Sequence, residues 1–127
     1  MNILVVDDNR ISRENISTIL ISLGHNVSTA VNGLDGFEKA QKGSFNLYII
    51  DHLMPLMNGV LLSKNIKNSP ELEQNPILFM TTKGKESVEN LPEVNLFNKV
   101  ISKPLEEDEF ILAVKSLIGN IPSTIAS

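Results

Sequence analysis

Residues 47–51 read Leu47-Tyr48-Ile49-Ile50-Asp51: four apolar side chains in a row, then one carboxylate. A short continuous apolar run of this kind is the pattern of a strand buried on both faces. Two other stretches end the same way. Leu4-Val5-Val6 leads into Asp7-Asp8, and the segment from Phe97 to Ile101 leads into Lys103-Pro104. If the three are neighbouring parallel strands, three carboxylates and one ammonium meet at one end of one sheet. That carboxyl end is where open α/β sheets bind ligands.

Outward from these runs, apolar residues switch to helical spacing. Ile16, Ile19, Leu20 and Leu23 form one face of a helix, with Gly24 at a plausible position just past its end. Asn26 to Ala30 reads as a strand, Asn32-Gly33 as a turn, and Leu34, Phe37 and Ala40 as the face of a second helix. Met54-Pro55 forces a loop after Asp51, because proline biases its predecessor away from the helical region. Asn58 then suits the N-cap of a third helix carrying Val60, Leu61 and Ile66. Ile77 to Met80 is a fourth strand, and Phe110, Ile111, Val114, Leu117 and Ile118 mark a last helix before Gly119. Lys85 to Leu91 has room for two helical turns before Pro92, so the fourth helix is expected to be short or irregular. One domain over residues 2–119 and a polar tail over 120–127 follow. Strands alternating with helices imply right-handed crossovers and a parallel sheet covered on both faces.

Composition narrows the function classes. At 127 residues, 42% hydrophobic and 20% charged, the chain is globular rather than disordered. A net charge of −4, with no block of lysines or arginines, argues against nucleic acid as a partner. The absence of cysteine excludes disulfides and thiolate metal sites. No apolar run approaches the ~20 residues of a membrane span, and a strand starting near Asn2 leaves no room for a signal peptide. No membrane partner and a cytoplasmic location are expected.

Three carboxylates held together are unfavourable unless something neutralises them, and a divalent cation does so. An all-oxygen cluster suits Mg2+, which keeps several waters and helps to bind phosphate. Lys103 beside such a cluster is placed to hold a phosphoryl oxygen, and Thr81 or Thr82 to donate a hydrogen bond to it. An Asp carboxylate can be the nucleophile. Each element alone has a simpler reading. Asp-Asp after a strand serves as a loop start and helix cap, and Lys-Pro as a strand exit with proline in the first helical turn. The combination at compatible strand ends favours the site.

These residues resemble the receiver domain of two-component response regulators. Leu4-Val5-Val6-Asp7-Asp8 looks like its acidic pair, and Asp51-His52-Leu53-Met54-Pro55-Leu56-Met57-Asn58-Gly59 like its phosphoacceptor loop. Phe79-Met80-Thr81-Thr82 resembles the strand ending in the switch hydroxyl, and Ile101-Ser102-Lys103-Pro104 the Lys-Pro motif. The resemblance implies a flavodoxin-like, doubly wound α/β fold with a five-stranded parallel sheet in the order 2-1-3-4-5 and five helices. It implies that Asp51 accepts a phosphoryl group from a histidine kinase, a histidine phosphotransfer protein or a small phosphodonor. Asp8 and Asp51 would bind Mg2+ directly, Asp7 partly through water, and the Leu53 backbone carbonyl would complete the protein ligands. Lys103 would read the phosphoryl oxygens, Thr81 would be the switch hydroxyl, and the Lys103-Pro104 peptide would be cis. Phosphorylation would then shift a pre-existing equilibrium toward a surface for an unknown downstream protein, around the fourth helix, fifth strand and last helix.

The chain departs from the family pattern in several places. Val100 stands at the usual aromatic switch position, Pro92 interrupts the fourth helix, and Asn95-Leu96 replaces a common Gly-Ala pair. Leu53 and Lys83 stand at the positions that orient attacking water in faster-hydrolysing relatives, so a long-lived phospho-Asp51 is expected. His52 is expected to point away from the site by strand alternation, His25 to be a solvated group near a helix end, and Arg10 and Arg13 to lie on an exposed helix face. The leading function is a phosphorylation-dependent switch that is not a turnover enzyme. Met1 and the short tail favour a free-standing regulator without an output domain over an excised receiver. A phosphorylation-independent pseudo-receiver is the rival. A Mg2+-dependent aspartyl-phosphate hydrolase fits poorly, since Asp7-Asp8-Asn9 and Asp51-His52-Leu53 both lack the acid it needs two residues after the nucleophile.

Overall fold

The computed structural model describes residues 1–119; the tail expected over residues 120–127 lies outside the described residues. Five strands, β1 (Asn2–Val6), β2 (Asn26–Ala30), β3 (Leu47–Asp51), β4 (Ile77–Thr81) and β5 (Lys99–Ser102), pair in parallel in the order β2-β1-β3-β4-β5. Five helices alternate with them: α1 (Arg10–Ser22), α2 (Gly33–Lys42), α3 (Gly59–Lys67), α4 (Lys85–Glu89) and α5 (Glu107–Ile118). This is the doubly wound, flavodoxin-like arrangement expected. No described helix is long and apolar enough to cross a membrane.

The period of two along each strand divides the core. Ile3, Val5, Ile49, Leu78, Met80 and Ile101 face α1 and α5, against Ile16, Leu20, Phe110 and Val114. Leu4, Val6, Tyr48, Ile50, Ile77 and Phe79 face the other way, against Ala40 of α2, Leu62 and Ile66 of α3, and Val88 of α4. Both faces being covered explains why the central strands read as unbroken apolar runs.

Local chemistry places the helix starts. Asn9, Asn32 and Asn58 are N-caps whose side-chain oxygens accept from the backbone N–H of Ser12, Asp35 and Leu61, at 2.9, 2.8 and 2.9 Å. Past the end of α1, Gly24 takes φ +94° while its N–H donates to the Ile21 carbonyl at 2.9 Å. α4 lasts only five residues, and a 3-10 turn over Pro92–Leu96 with proline in its first turn replaces any continuation. The Lys103-Pro104 peptide is cis. α5 begins at Glu107, so Pro104 is not a first-turn helix residue.

The last strand starts later than its apolar run suggests. Phe97 ends the 3-10 turn instead of opening β5, and its ring stacks on Phe79 at a centroid distance of 3.9 Å. Asn98 next to it accepts from the Ile77 N–H through its side chain at 2.8 Å. Packing of Phe97 into the core thus replaces its expected place in the ladder.

The loop after β3 is closed by a tight turn in which the Met57 N–H donates to the Pro55 carbonyl at 2.8 Å. Leu56 at its centre has φ +69° and is 79% exposed. A leucine there is strained by about 1 kcal/mol and gains little from burial. Leu56→Asn is therefore expected to raise stability by about 0.5–1 kcal/mol, since asparagine tolerates positive φ. The check is the urea midpoint at unchanged slope; an unmoved or lowered midpoint contradicts the strain.

Candidate functional site

The two strand ends nearest the sheet centre carry the acids. Asp7 follows β1 and is fully buried, Asp51 ends β3 and is nearly so, and Asp8 is exposed. One oxygen from each of the three lies within 4.8 Å of the others. Lys103, just after β5, reaches between them. Its Nζ donates to Asp7 Oδ2 at 3.0 Å and to Asp51 Oδ1 at 3.2 Å.

Their partners differ. Asp7 Oδ1 also accepts from the Asn9 N–H at 2.9 Å, and Oδ2 from the Ser12 hydroxyl at 2.7 Å. Both of its oxygens are engaged. The Asp8 side chain makes no hydrogen bond or ion pair among the described residues, and the Leu53 carbonyl accepts none. Burial, then the neighbouring Asp7 charge, push the Asp51 carboxyl up to about 6 against the pull of Lys103. Burial alone would lower Lys103, but its contacts with Asp7 and Asp51 outweigh this and raise it. An all-oxygen donor set with one free carboxylate, one free carbonyl and an excess of negative charge has the chemistry of a Mg2+ site.

Backbone contacts hold the acceptor loop against the sheet. The His52 N–H continues the ladder to the Met80 carbonyl at 2.9 Å, and the Gly59 N–H donates to the His52 carbonyl at 2.8 Å. A Cβ on Gly59 would lie 2.2 Å from the Asp51 carbonyl oxygen, so no other residue lets the start of α3 approach this closely. From the neighbouring strand the Lys103 N–H donates to the Thr81 carbonyl at 2.8 Å, which ties the lysine to the end of β4.

Thr81 is fully buried at the end of β4, and its Oγ1 accepts from the Lys83 N–H at 3.0 Å. Thr82 and Lys83 are exposed. Leu53 is half exposed at the mouth of the site, while Met54 and Met57 pack against the core beside α2 and α3, as loop packing residues do.

Two expectations need correction, and a third holds but is incomplete. His52 does point away from Asp51, but the same alternation points Thr81 to that side, and His52 Nδ1 lies 3.0 Å from Thr81 Oγ1. Strand parity applied to both residues, rather than to His52 alone, is the signal that finds this contact. Arg13 is not on an exposed face: it is half-buried, with Nη1 donating to the Asp7 carbonyl at 2.8 Å. Arg10 does face solvent, paired with Glu14 at 3.0 Å. His25 is buried rather than solvated, and burial, then the N-terminal ammonium, lower its pKa. Ser12, absent from the sequence reading, enters as the cap-adjacent hydroxyl that steadies Asp7.

The family model for the response regulator receiver domain matches residues 3–115. The probable transcriptional regulator ycf29 of Porphyra purpurea is 31% identical over 118 residues, covering 92% of this chain and 56% of that protein. The chain spans about half the length of this relative and of its Pyropia yezoensis counterpart. Among solved structures, the chemotaxis protein CheY4 of Vibrio cholerae is 27% identical with a TM-score of 0.85, covering 91% of this chain and 97% of that one. Response regulator TrrA of Thermotoga maritima, solved in complex with Mg2+ and BeF, is 28% identical with a TM-score of 0.83 over the same shares.

Proposed function

The chain belongs to the response regulator receiver domain family, and we propose that it acts as a Mg2+-dependent phosphorylation switch with Asp51 as the phosphoacceptor. Receiver domains are signalling modules of two-component systems rather than turnover enzymes. The observation that carries the proposal is the Lys103 ammonium bridging Asp7 and Asp51 within a cluster of three convergent carboxylates.

An Asp51 oxygen attacks the phosphorus of a phosphohistidine on a sensor kinase or histidine phosphotransfer protein. The P–N bond breaks as the P–O bond forms, and the departing imidazole takes up a proton. Lys103 compensates charge on the transferring oxygens, and the Thr81 hydroxyl, at the end of the neighbouring strand, would turn toward the product to donate to it. Asp8, Asp51 and the Leu53 carbonyl would hold Mg2+, with Asp7 acting through water because its own oxygens are already engaged. The metal supplies neutralising charge to the acids and the phosphoryl group. TrrA binding Mg2+ and BeF on the same fold supports this assignment. A sensor kinase or phosphotransfer protein as donor would make the cytoplasm the working compartment. The surface read by a downstream protein would be formed by α4, β5 and α5.

The test is incubation with Mg2+ and acetyl phosphate, followed by intact-mass measurement of wild type and Asp51→Asn. A wild-type adduct that the variant lacks supports the acceptor. An adduct on both, or on neither, moves the phosphoryl chemistry elsewhere or removes it.

The same site predicts slow loss of the group. The Leu53 side chain cannot orient water, and Lys83 offers no general base. The adduct is expected to persist for minutes or longer after the donor is removed, followed by mass against time. Decay within seconds contradicts the prediction.

A further inference from the structure

His52 sits where the phosphoacceptor loop leaves β3, with its ring on the opposite face of the sheet from the Asp51 carboxylate. Its Nδ1 lies 3.0 Å from Thr81 Oγ1. Behind it, the ring centroid is 5.2 Å from that of Phe79, and Phe79 stacks on Phe97 at 3.9 Å and 14°. A continuous run of rings therefore leads from the Thr81 hydroxyl to Phe97, two residues before β5. Val100, at the position where the family carries its usual aromatic, contributes no ring.

The hydroxyl oxygen already accepts from the Lys83 N–H at 3.0 Å. One bond in and one bond out is the cooperative arrangement for a hydroxyl, which favours the threonine proton being given to a bare Nδ1. A neutral imidazole has one nitrogen without a proton, and that nitrogen can accept. A phosphoryl group offers only acceptor oxygens, and so competes with His52 for that single proton.

We propose that His52 is a positioning residue that holds the Thr81 hydroxyl in the resting state, gives it up to a phosphoryl group on Asp51, and passes the change through Phe79 to Phe97. The competition rests on the phosphoacceptor reading; the resting contact does not.

The chain has two histidines, so imidazole 15N spectra are simple and His25 is an internal control. At rest, His52 Nδ1 is expected to resonate as a bare acceptor nitrogen. Thr81→Val should shift it without any phosphodonor present. Acetyl phosphate with Mg2+ should also shift it, in protein whose mass shows the adduct, while His25 stays fixed. His52→Phe keeps a ring but loses the acceptor, and should tighten Mg2+–beryllofluoride binding by about threefold or more. His52→Asn, which returns an acceptor near the Nδ1 position, should restore wild-type affinity.

A protonated Nδ1 at rest overturns the proposal. So does a signal that Thr81→Val leaves in place, or one unmoved in protein that carries the adduct. Equal affinities of the Phe and Asn variants also overturn it. Failure to form any adduct rejects the Asp51 acceptor and the competition together, while the Thr81→Val spectrum still judges the resting hydrogen bond.

Discussion

Asp51→Asn is expected to remove phosphoryl acceptance completely and at the same time to make the metal-free protein more stable. The two effects share a cause. A nucleophilic carboxylate has to be ionised, yet this one is buried beside Asp7, and its pKa is pushed up to about 6. In the unfolded chain an Asp titrates near 3.9. The folded state therefore binds the proton more tightly, and stability falls as pH rises through the window between about 4 and 6. Above that window the whole cost of ionising Asp51 is present. Asparagine keeps the shape without the charge, so the variant should exceed wild type by about 2 kcal/mol near neutral pH and lose that advantage below about pH 4. Mg2+ should reverse the order. It binds the folded wild type and raises its midpoint by mass action, with much less effect on a variant missing one ligand. Urea melts at the two pH values, with chelator and with Mg2+, measure all of this. A variant no more stable than wild type at neutral pH in chelator means that Asp51 carries no electrostatic cost.

The legible and illegible parts of the site divide along a physical line. Asp7, Asp51, Thr81 and Lys103 were readable because each ends an apolar run, and strand ends in a parallel sheet converge whatever the rest of the chain does. Asn58 was readable because a cap acts on its own backbone, and the Leu61 N–H is three residues away. Pro92 was readable because it lacks the donor a helix needs. What escaped depends on pairs from different elements. His52 was assigned by the parity of its own strand, but its partner Thr81 comes from β4, and only the register of β3 against β4 brings them to one side. Arg13 has the spacing of an exposed helix residue, yet its long side chain folds back to the Asp7 carbonyl. Phe97 looked like strand and became core, because stacking on Phe79 was available and a place in the ladder was not its only means of burial. Those contacts lie at the level of packing, where the period of one element, taken alone, does not name the partner.

Lys103→Met should be the most destabilising single change at the site, by about 3 kcal/mol near neutral pH, because it removes the cation from two buried acids. The lysine side chain is 13% exposed, and Asp7 and Asp51 are 0% and 9% exposed, so water compensates little for the loss. Asp7 would keep its bonds from Asn9 and Ser12, whereas Asp51 would lose its cation and face Asp7 directly. In wild type the raised Lys103 pKa contributes stability that is fully present below the unfolded value of about 10.4, and it is lost only as pH rises through the folded value. The wild-type contribution is thus constant over the range where Asp51 titrates. In the variant Asp51 itself responds. Without the lowering pull of Lys103, Asp51 takes up its proton at a higher pH than in wild type; the repulsion then ends, so the deficit should shrink as pH falls. Mg2+ should shrink it at neutral pH by supplying the missing positive charge. A deficit that ignores both pH and Mg2+ would assign the role of Lys103 to packing of its aliphatic stem. The acceptor carboxylate remains in place, so acetyl phosphate should still form an adduct, only more slowly, because no ammonium meets the incoming phosphoryl oxygens. Slower phosphorylation combined with a pH-dependent deficit is the signature of a lysine that serves the charge of the site in both its resting and its reacting states.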